Sequence, residues 1–352
     1  MGSGAGFLTQ GTKVKRVNET PLVTLVDIEA AAGRIAGAVR RTPLLSTQLG
    51  SIASPLWVKA EALQIGGSFK LRGATNAIAQ LDSDQRALGV ITHSSGNHAQ
   101  AVARAARDVG IKATIVMPHQ APLVKREATK ALGADIVLVD PADRVSTTAQ
   151  IQAESGAVLI SPYDDAAVIA GQGTVGLEII EDLPDVVTVL VPVSGGGLIS
   201  GIAVAVKAKR PQAHVIAVEP ELAGDLAQGF AVGERAVWDS ADTVRTIADG
   251  LRVTSVGELN WRHITTLVDQ VVTVSEDAIR RAMRSVILDT KVVCEASGAV
   301  AVAGYDALRD ALPAGPVVAV VSGGNVEPAL LRDVLAGAAA DQHDDLLARG
   351  PS

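Results

Sequence analysis

Lys70 is the residue with the clearest chemical potential in this sequence, because of its place in a predicted helix. It follows a Gly-Gly-Ser-Phe segment, and the pattern after it predicts a helix over residues 70–81. The positive end of a helix dipole disfavours a cation in the first turn, so a plain surface lysine is poorly placed there. A lysine that forms a Schiff base with an aldehyde carrying its own anionic groups avoids that penalty. The alternative is a solvated lysine beside a loop.

A second candidate is the turn Ser194-Gly195-Gly196-Gly197. It separates a continuous apolar strand, residues 186–193, from a predicted helix over residues 198–209. Glycine lets the backbone approach a ligand closely, and the free N–H groups of a helix start attract phosphate. The turn is therefore a candidate phosphate site, and the simpler alternative is an ordinary tight strand–helix turn.

The same region raises the alternative of a dinucleotide-binding fingerprint. Such a fingerprint would use Gly195 and Gly197, with the acidic Glu219 at the end of the next strand. However, the spacing Gly-x-Gly-x-x-Gly requires glycine at position 200, where the chain has Ser200. A nicotinamide-dependent oxidoreductase is therefore disfavoured.

The elements that must position these turns repeat one pattern: an apolar strand, a small or glycine-rich turn, and a helix. Continuous apolar strands of this kind are typical of a parallel sheet covered on both faces. The predicted strands span residues 89–93, 111–117, 134–139, 157–160, 186–193, 214–219, 270–274 and 317–321, and further helices span residues 98–109, 122–132 and 327–340. We therefore expect a layered α/β protein.

Composition excludes several function classes. The 352 residues carry a net charge of −7 and 48% hydrophobic content, without a basic patch for nucleic acid or a membrane surface. No apolar run reaches the roughly 18 residues of a membrane span, and the one cysteine, Cys294, excludes an internal disulfide. Residues 1–20 lack a signal-peptide pattern. We expect a cytoplasmic protein whose ends, residues 1–20 and 341–352, are flexible.

Five segments, in order, resemble one known family. They are Ser68-Phe69-Lys70-x-Arg72-Gly73-Ala74, Ser94-Ser95-Gly96-Asn97-His98-Ala99-Gln100, Gly171-Gln172-Gly173-Thr174, Ser194-Gly195-Gly196-Gly197-Leu198 and Ser322-Gly323-Gly324-Asn325. Together they are similar to the fold-type II pyridoxal-phosphate enzymes, in the branch of threonine/serine dehydratases and serine racemases. The resemblance covers about residues 25–335.

The resemblance implies a fold of two lobes, each with a mainly parallel sheet flanked by helices, and pyridoxal 5'-phosphate in the cleft between them. The large lobe is expected from residues 1–86 and 166–352, and a small mobile lobe from residues 87–165. The resemblance also implies that the protein forms a homodimer. No C-terminal regulatory domain is expected.

The resemblance also implies roles for individual residues. Lys70 would bind the cofactor as a Schiff base and act as the catalytic base, and Ser95 would be the second base of a racemase. Cofactor contacts are implied for Phe69, Asn97, Ser194, Gly195, Gly196, Gly197, Leu198 and Ser322, and substrate contacts for Ser94, Ser95, Gly96, Asn97 and His98. Glu219, Ala223 and Asp225 resemble the family's site for Mg²⁺ or Ca²⁺, and such oxygen ligands suit hard cations.

Ser322, placed by the resemblance at the pyridine nitrogen, favours one reaction type. A hydroxyl there makes the ring a weaker electron sink than a carboxylate would, which suits prompt loss of a β-substituent. The expected activity is therefore a dehydratase (ammonia-lyase) that converts L-threonine and L-serine to 2-oxobutyrate and pyruvate plus ammonia.

Two alternatives stay open: a serine racemase with side dehydratase activity that uses Ser95, and a threo-3-hydroxyaspartate dehydratase. The alternative to the first is that Ser95 has no catalytic role and is only a small residue that the turn tolerates. Three departures from the family pattern also bear on function: Ala296 after Glu295, Ile65 in place of a nucleotide-site lysine, and the segment 141–150, which lacks an acidic helix start. They put the local turn, nucleotide activation and side-chain specificity in doubt.

Overall fold

The computed structural model describes residues 20–337 as an α/β protein. The strands are β1 (Leu44–Ser46), β2 (Leu56–Ala60), β3 (Val90–His93), β4 (Ala113–Pro118), β5 (Asp135–Val139), β6 (Val158–Leu159), β7 (Thr188–Pro192), β8 (His214–Pro220), β9 (Gln270–Val274) and β10 (Val317–Val321). The helices are α1 (Leu25–Ile35), α2 (Lys70–Ala79), α3 (Ser83–Leu88), α4 (Asn97–Asp108), α5 (Leu123–Ala131), α6 (Arg144–Ser155), α7 (Ala166–Asp182), α8 (Gly197–Lys209), α9 (Asp225–Val232), α10 (Ser240–Thr243), α11 (Glu258–Leu267), α12 (Glu276–Thr290), α13 (Ala296–Leu308) and α14 (Pro328–Ala336). The ends expected to be flexible lie outside the described residues, Thr20 apart. Within residues 20–337, no helix is both long and apolar enough to cross a bilayer.

The strands form two sheets. The larger has six strands in the order β1-β2-β10-β7-β8-β9, and the smaller has four in the order β5-β4-β3-β6. Every neighbouring pair is parallel except β1 with β2. The expected α/β fold with two mainly parallel sheets is therefore confirmed, and the small sheet uses residues 90–159.

Helices cover both faces of the large sheet, as continuous apolar strands require. Side chains alternate between faces along a strand, so Val317 and Ala319 of β10 pack with α12 and α13 on one face. Val318 and Val320 pack with α7 and α8 on the other face. Strand β10 is buried along its whole length for this reason.

Strands β1 and β2 are the two that the sequence pattern did not predict. β1 is only three residues long, and β2 contains Lys59, a residue that normally indicates a solvent-facing position. Here Lys59 is completely buried, because partners from distant parts of the chain surround it.

Those partners form the ionic cluster, which we define as Lys59, Glu61, Arg72 and Glu178. Arg72 donates two hydrogen bonds to Glu61 (2.9 and 2.8 Å) and two to Glu178 (2.6 and 2.9 Å). Lys59 Nζ donates to Glu178 at 2.7 Å. Two cations and two carboxylates balance in charge, and the cluster ties β2 and the 3₁₀ turn after it to α2 and α7.

Helices α2, α7 and α8 pack closely around the motif Gly171-Gln172-Gly173. A Cβ at Gly171 would lie 2.7 Å from the carbonyl oxygen of Arg72, and one at Gly201 would lie 2.5 Å from the backbone nitrogen of Gly173. Any larger residue at Gly171 or Gly201 would push these helices apart. Their contact fixes where α2, which begins at Lys70, meets the sheet.

Candidate active site

Three turns that could do chemistry begin at one edge of the large sheet. Strands β2, β10 and β7 are adjacent and parallel, so their carboxyl ends lie side by side. The loop after β2 leads to Lys70, the loop after β10 begins at Ser322, and the loop after β7 leads to Ser194. Ligands of open α/β sheets bind at this edge.

Backbone hydrogen bonds fasten the first two loops to each other. Phe69 donates its N–H to the carbonyl of Ser322 (3.1 Å), and Gly324 donates to the carbonyl of Gly67 (2.8 Å). Ser68 and Gly323 form an antiparallel bridge between these contacts. These main-chain contacts, with a hydrogen bond from the Asn325 side chain to the carbonyl of Gly66 (2.9 Å), set the position of Ser322 relative to the start of α2.

Lys70 lies half-buried at the first position of α2, where the sequence predicted a helix start. Its Nζ donates to the carbonyl of Pro162 at 2.7 Å and lies 5.1 Å from the centre of the Phe69 ring. Burial lowers the pKa of Lys70 to about 8. An amine with this pKa is partly unprotonated near neutral pH, which nucleophilic attack on an aldehyde and general-base catalysis both require.

The turn from Ser194 to Gly197 is buried and leads into α8. Gly196 has a φ of +93°, and a Cβ at Gly195 would lie 2.2 Å from Cγ of the Tyr163 ring, so both positions favour glycine. The Ser194 hydroxyl accepts a hydrogen bond from the N–H of Val253 (3.1 Å). The turn offers main-chain N–H groups at a helix start, a suitable cradle for a phosphate.

Asn97 is held on both sides of its amide. Its Nδ2 donates to Glu295 (2.7 Å), and its Oδ1 accepts from Nδ2 of Asn325 (2.8 Å). The second N–H of the Asn97 amide remains available for a ligand. Burial, with the nearby Asp249 charge, raises the pKa of Glu295 to about 7. The sequence singled out Glu295 only for the residue that follows it and gave no sign of this contact.

Residues 94–98 run from the end of β3 into the first turn of α4. Ser94 accepts a hydrogen bond from the N–H of Gly96 (3.3 Å), and the buried His98 ring contacts the carbonyl of Ile160 through Nε2 (3.0 Å). Burial, and then the Lys70 charge, lower the pKa of His98 to about 3, so the ring is neutral and supports the turn. The hydroxyl of the half-buried Ser95 has no hydrogen-bond partner among residues 20–337.

The acidic residues singled out for a metal lie beside the glycine-rich turn. Glu219 accepts from the N–H groups of Leu226 and Ala227 (3.3 and 2.8 Å), and Asp225 accepts from Val256 (3.1 Å). Burial, with the Asp225 charge, raises the pKa of Glu219 well above its usual range, and burial raises that of Asp225 to about 7.

Two buried carboxyl groups without a cation fit an oxygen-coordinated metal ion. Ala223 lies in the short 3₁₀ turn between Glu219 and Asp225. Within the described part of the chain, no cluster of three or more His, Cys, Asp or Glu side chains is arranged to hold a metal. A cation here would therefore need backbone carbonyls and water as further ligands.

Sequence reasoning missed three residues that shape the site: Tyr163, Asp164 and Asn260. Tyr163 covers the glycine-rich turn, and Asp164 accepts hydrogen bonds from the first N–H groups of α11. Asn260 of α11 donates to the carbonyl of Gly195 (2.8 Å). None stands in a glycine-rich or charge-paired pattern, so only the fold brings them to the turn. Tyr163 and Asp164 also line a cavity of about 340 Å³ together with His93, Pro162, Arg235 and Ser255.

Comparison with known proteins gives one consistent family. Residues 35–323 match the family described as pyridoxal-phosphate dependent enzyme. A serine racemase from Oryza sativa subsp. indica is 42% identical over 319 residues, which cover 88% of this chain and 92% of that protein. A catabolic L-threonine dehydratase from Staphylococcus aureus is 41% identical over 314 residues, covering 87% and 90%. The structure of maize serine racemase superposes with a TM-score of 0.83 at 40% identity and covers 92% of this chain and 100% of that one.

The chain belongs to the pyridoxal-phosphate-dependent enzyme family. The expected resemblance and fold are thereby confirmed, and serine racemases and threonine dehydratases are similar to this chain to the same degree. Its own residues fit the cofactor: a half-buried lysine with a lowered pKa lies near a buried main-chain cradle for phosphate. Pro162 binds Lys70, and its neighbour Tyr163 covers the cradle.

Proposed function

We propose that this family member is an ammonia-lyase that converts L-threonine and L-serine into 2-oxobutyrate and pyruvate plus ammonia. The observation that carries the proposal is the environment of Lys70. Burial lowers the pKa of this lysine to about 8, so the site holds one base suited to the α-proton. Elimination needs one base at the α-carbon, and racemisation needs a second on the opposite face.

The bound cofactor supplies an electron sink that weakens the bond between the substrate's α-carbon and its hydrogen. Lys70 Nζ then accepts the α-proton, because its low pKa leaves it partly unprotonated at neutral pH. The N–H groups of residues 94–98, at the start of α4, bind the substrate carboxylate. Ser322 would offer the ring nitrogen a hydroxyl instead of a carboxylate, which would favour departure of the β-hydroxyl over a long-lived carbanion.

Serine racemase is the second candidate, and Ser95 is the observation that favours it. A hydroxyl without a hydrogen-bond partner in residues 20–337 is free to deliver a proton to the second face of the substrate. On that reading Ser95→Ala abolishes exchange of configuration while elimination from the L-substrate continues through Lys70.

Proton NMR in heavy water separates the two candidates. The enzyme is incubated with L-serine, and separately with L-threonine, in the presence of Mg²⁺. Keto acid that forms without deuterium in the remaining substrate supports the dehydratase. Deuterium that accumulates at the α-carbon of serine faster than pyruvate forms contradicts it and supports the racemase. If neither substrate reacts, a larger or more acidic β-hydroxy amino acid, such as threo-3-hydroxyaspartate, is the next to test.

We also propose that Glu219, the Ala223 carbonyl and Asp225 bind Mg²⁺ or Ca²⁺. The support is the raised pKa of both carboxyl groups, which reflects burial without a counter-charge. Asp225 holds Val256, and the next residue, Gly257, donates to the carbonyl of Gly195 (3.0 Å). A cation here would therefore order the segment that supports the glycine-rich turn.

A further inference from the structure

Asn260 is completely buried on α11 and uses its side-chain amide in an unusual way. Its Nδ2 donates to two backbone carbonyls, that of Gly195 at 2.8 Å and that of Tyr163 at 3.1 Å. Its Oδ1 is buried and makes no hydrogen bond within residues 20–337. The two donated bonds therefore define the orientation of this amide.

The Gly195 carbonyl also accepts a hydrogen bond from the N–H of Gly257 at 3.0 Å. Both donors lie at the start of α11, so the carbonyl is directed towards that helix. In a planar trans peptide the N–H of the following residue points the opposite way. The N–H of Gly196 is therefore directed away from α11, and rotation of this peptide would break two hydrogen bonds.

Asp164 fixes the other end of this arrangement. Its carboxylate accepts hydrogen bonds from the N–H groups of Glu258 (3.0 Å), Leu259 (3.0 Å) and Asn260 (3.3 Å). The backbone of Asn260 is thus held by the residue next to Tyr163, whose carbonyl the Asn260 side chain binds. The start of α11 cannot shift without disturbing the Tyr163 segment.

From these contacts we infer that Asn260 is a positioning residue for the cofactor phosphate: it orients the peptide between Gly195 and Gly196 so that the Gly196 N–H faces the anion. The inference depends on the glycine-rich turn as the phosphate site, and it is independent of which amino acid the enzyme converts. Asn260 should therefore contribute to binding of the phosphate group of pyridoxal phosphate and not to binding of its aldehyde, which reacts with Lys70.

The experiment compares pyridoxal phosphate with pyridoxal, which has the aldehyde but no phosphate. Both are titrated into cofactor-free enzyme and followed by the visible absorbance of the bound cofactor. Asn260→Leu keeps the branched shape of the side chain, at a larger volume, and removes Nδ2. We expect the dissociation constant for pyridoxal phosphate to rise about tenfold, as for loss of one good hydrogen bond, and that for pyridoxal to change less than about twofold.

Thr265→Ala is the matched control, since Thr265 lies exposed on the same helix and should leave both constants unchanged. If Asn260→Leu does not fold, Asn260→Ser, which is too short to reach both carbonyls, is measured in the same way. Unchanged affinity for pyridoxal phosphate, or an equal loss for both ligands, overturns the inference. Because no amino-acid substrate is present, failure of the proposed dehydratase activity would not affect this result.

Discussion

Glu61 and Glu219 are both completely buried glutamates, yet their carboxyl groups behave in opposite ways. Burial raises the pKa of Glu61, but Arg72, Thr42 and Lys59 lower it by more, so that it ends below its usual range. The pKa of Glu219 is raised by burial and again by Asp225. Among the described residues, no lysine, arginine or histidine forms an ion pair with Glu219.

The difference shows that this protein places buried carboxyl groups in two opposite electrostatic environments. In the ionic cluster, each carboxylate has its cation in the chain itself, and the product is a rigid connection under α2. At Glu219 and Asp225 positive charge is missing, which is the state expected of a site completed from solution. The four predictions that follow test this contrast, from the largest expected effect to the smallest.

Arg72→Met should cause the greatest loss of stability. It leaves Glu61 and Glu178 buried without their main counter-charge, and breaking a buried pair in this way costs about 3–5 kcal/mol. Urea unfolding of the cofactor-free protein measures the change. Arg72→Lys, which keeps the charge but not the paired geometry, should lose less. A loss below about 1 kcal/mol for Arg72→Met would mean that the cluster does not stabilise the fold.

Glu295→Gln should remove a pH dependence of folding. The folded pKa of Glu295, about 7, lies above the usual 4.5, so the folded state binds the proton more tightly. Its contribution to stability is full below about pH 4.5 and is lost as the pH rises through about 7, a change of roughly 3 kcal/mol. The groups that face this carboxyl are Asp249, Lys125 and Asn97.

The measurement is the free energy of unfolding of the cofactor-free protein between pH 4.5 and 8. Wild type should lose stability relative to Glu295→Gln over this range. Parallel curves for the two proteins would show that folding does not raise the pKa of Glu295.

Mg²⁺ or Ca²⁺ should stabilise the protein through Glu219 and Asp225. At a cation concentration one hundred times the dissociation constant, the gain in unfolding free energy is about 2.7 kcal/mol. The melting temperature is measured with the cation and with EDTA, at constant ionic strength. The double variant Glu219→Gln, Asp225→Asn should show no gain, and an equal gain in variant and wild type would place the cation elsewhere.

Arg41→Ala should have the smallest effect. Arg41 pairs with Glu181 and Asp182 on the surface, where about half of the Arg41 side chain is exposed to solvent (51%). Exposed pairs of this kind contribute about 0–1 kcal/mol. The same urea assay compares it with Arg72→Met, and a similar loss for both would remove the distinction between buried and exposed pairs.

Elements of the fold could be predicted from the sequence where neighbouring residues determine them, and could not where the determining contacts join residues that are far apart along the chain. Residues 317–321 are five consecutive apolar residues before Ser-Gly-Gly-Asn, and this local pattern predicted β10 to the residue. Strand β2 was not predicted because it contains Lys59, and the glutamate that makes burial of this lysine possible lies 119 positions away. The same applies to Asn260, whose partner Gly195 is 65 positions away.

The candidate site was predicted in a similarly uneven way. Lys70 and the glycine-rich turn followed from helix and backbone chemistry, whereas the roles of Asn97, Ser322 and Glu219 came from a resemblance. The contact of Asn97 with Glu295 could not be predicted, since it joins the start of α4 to the loop before α13, 198 positions away, and leaves no pattern along the chain.

The backbone hydrogen bonds between residues 67–69 and 322–324 also bear on how this protein can diversify. They fasten the loops that carry Lys70 and Ser322 to each other through main-chain groups, so this part of the attachment does not depend on a side chain. The proposed substrate end, residues 94–98, also depends on side-chain contacts, such as that of the His98 ring with the carbonyl of Ile160. Mutation can therefore alter which amino acid is accepted while the cofactor stays in place, a division that lets new specificities evolve on one unchanged chemical centre.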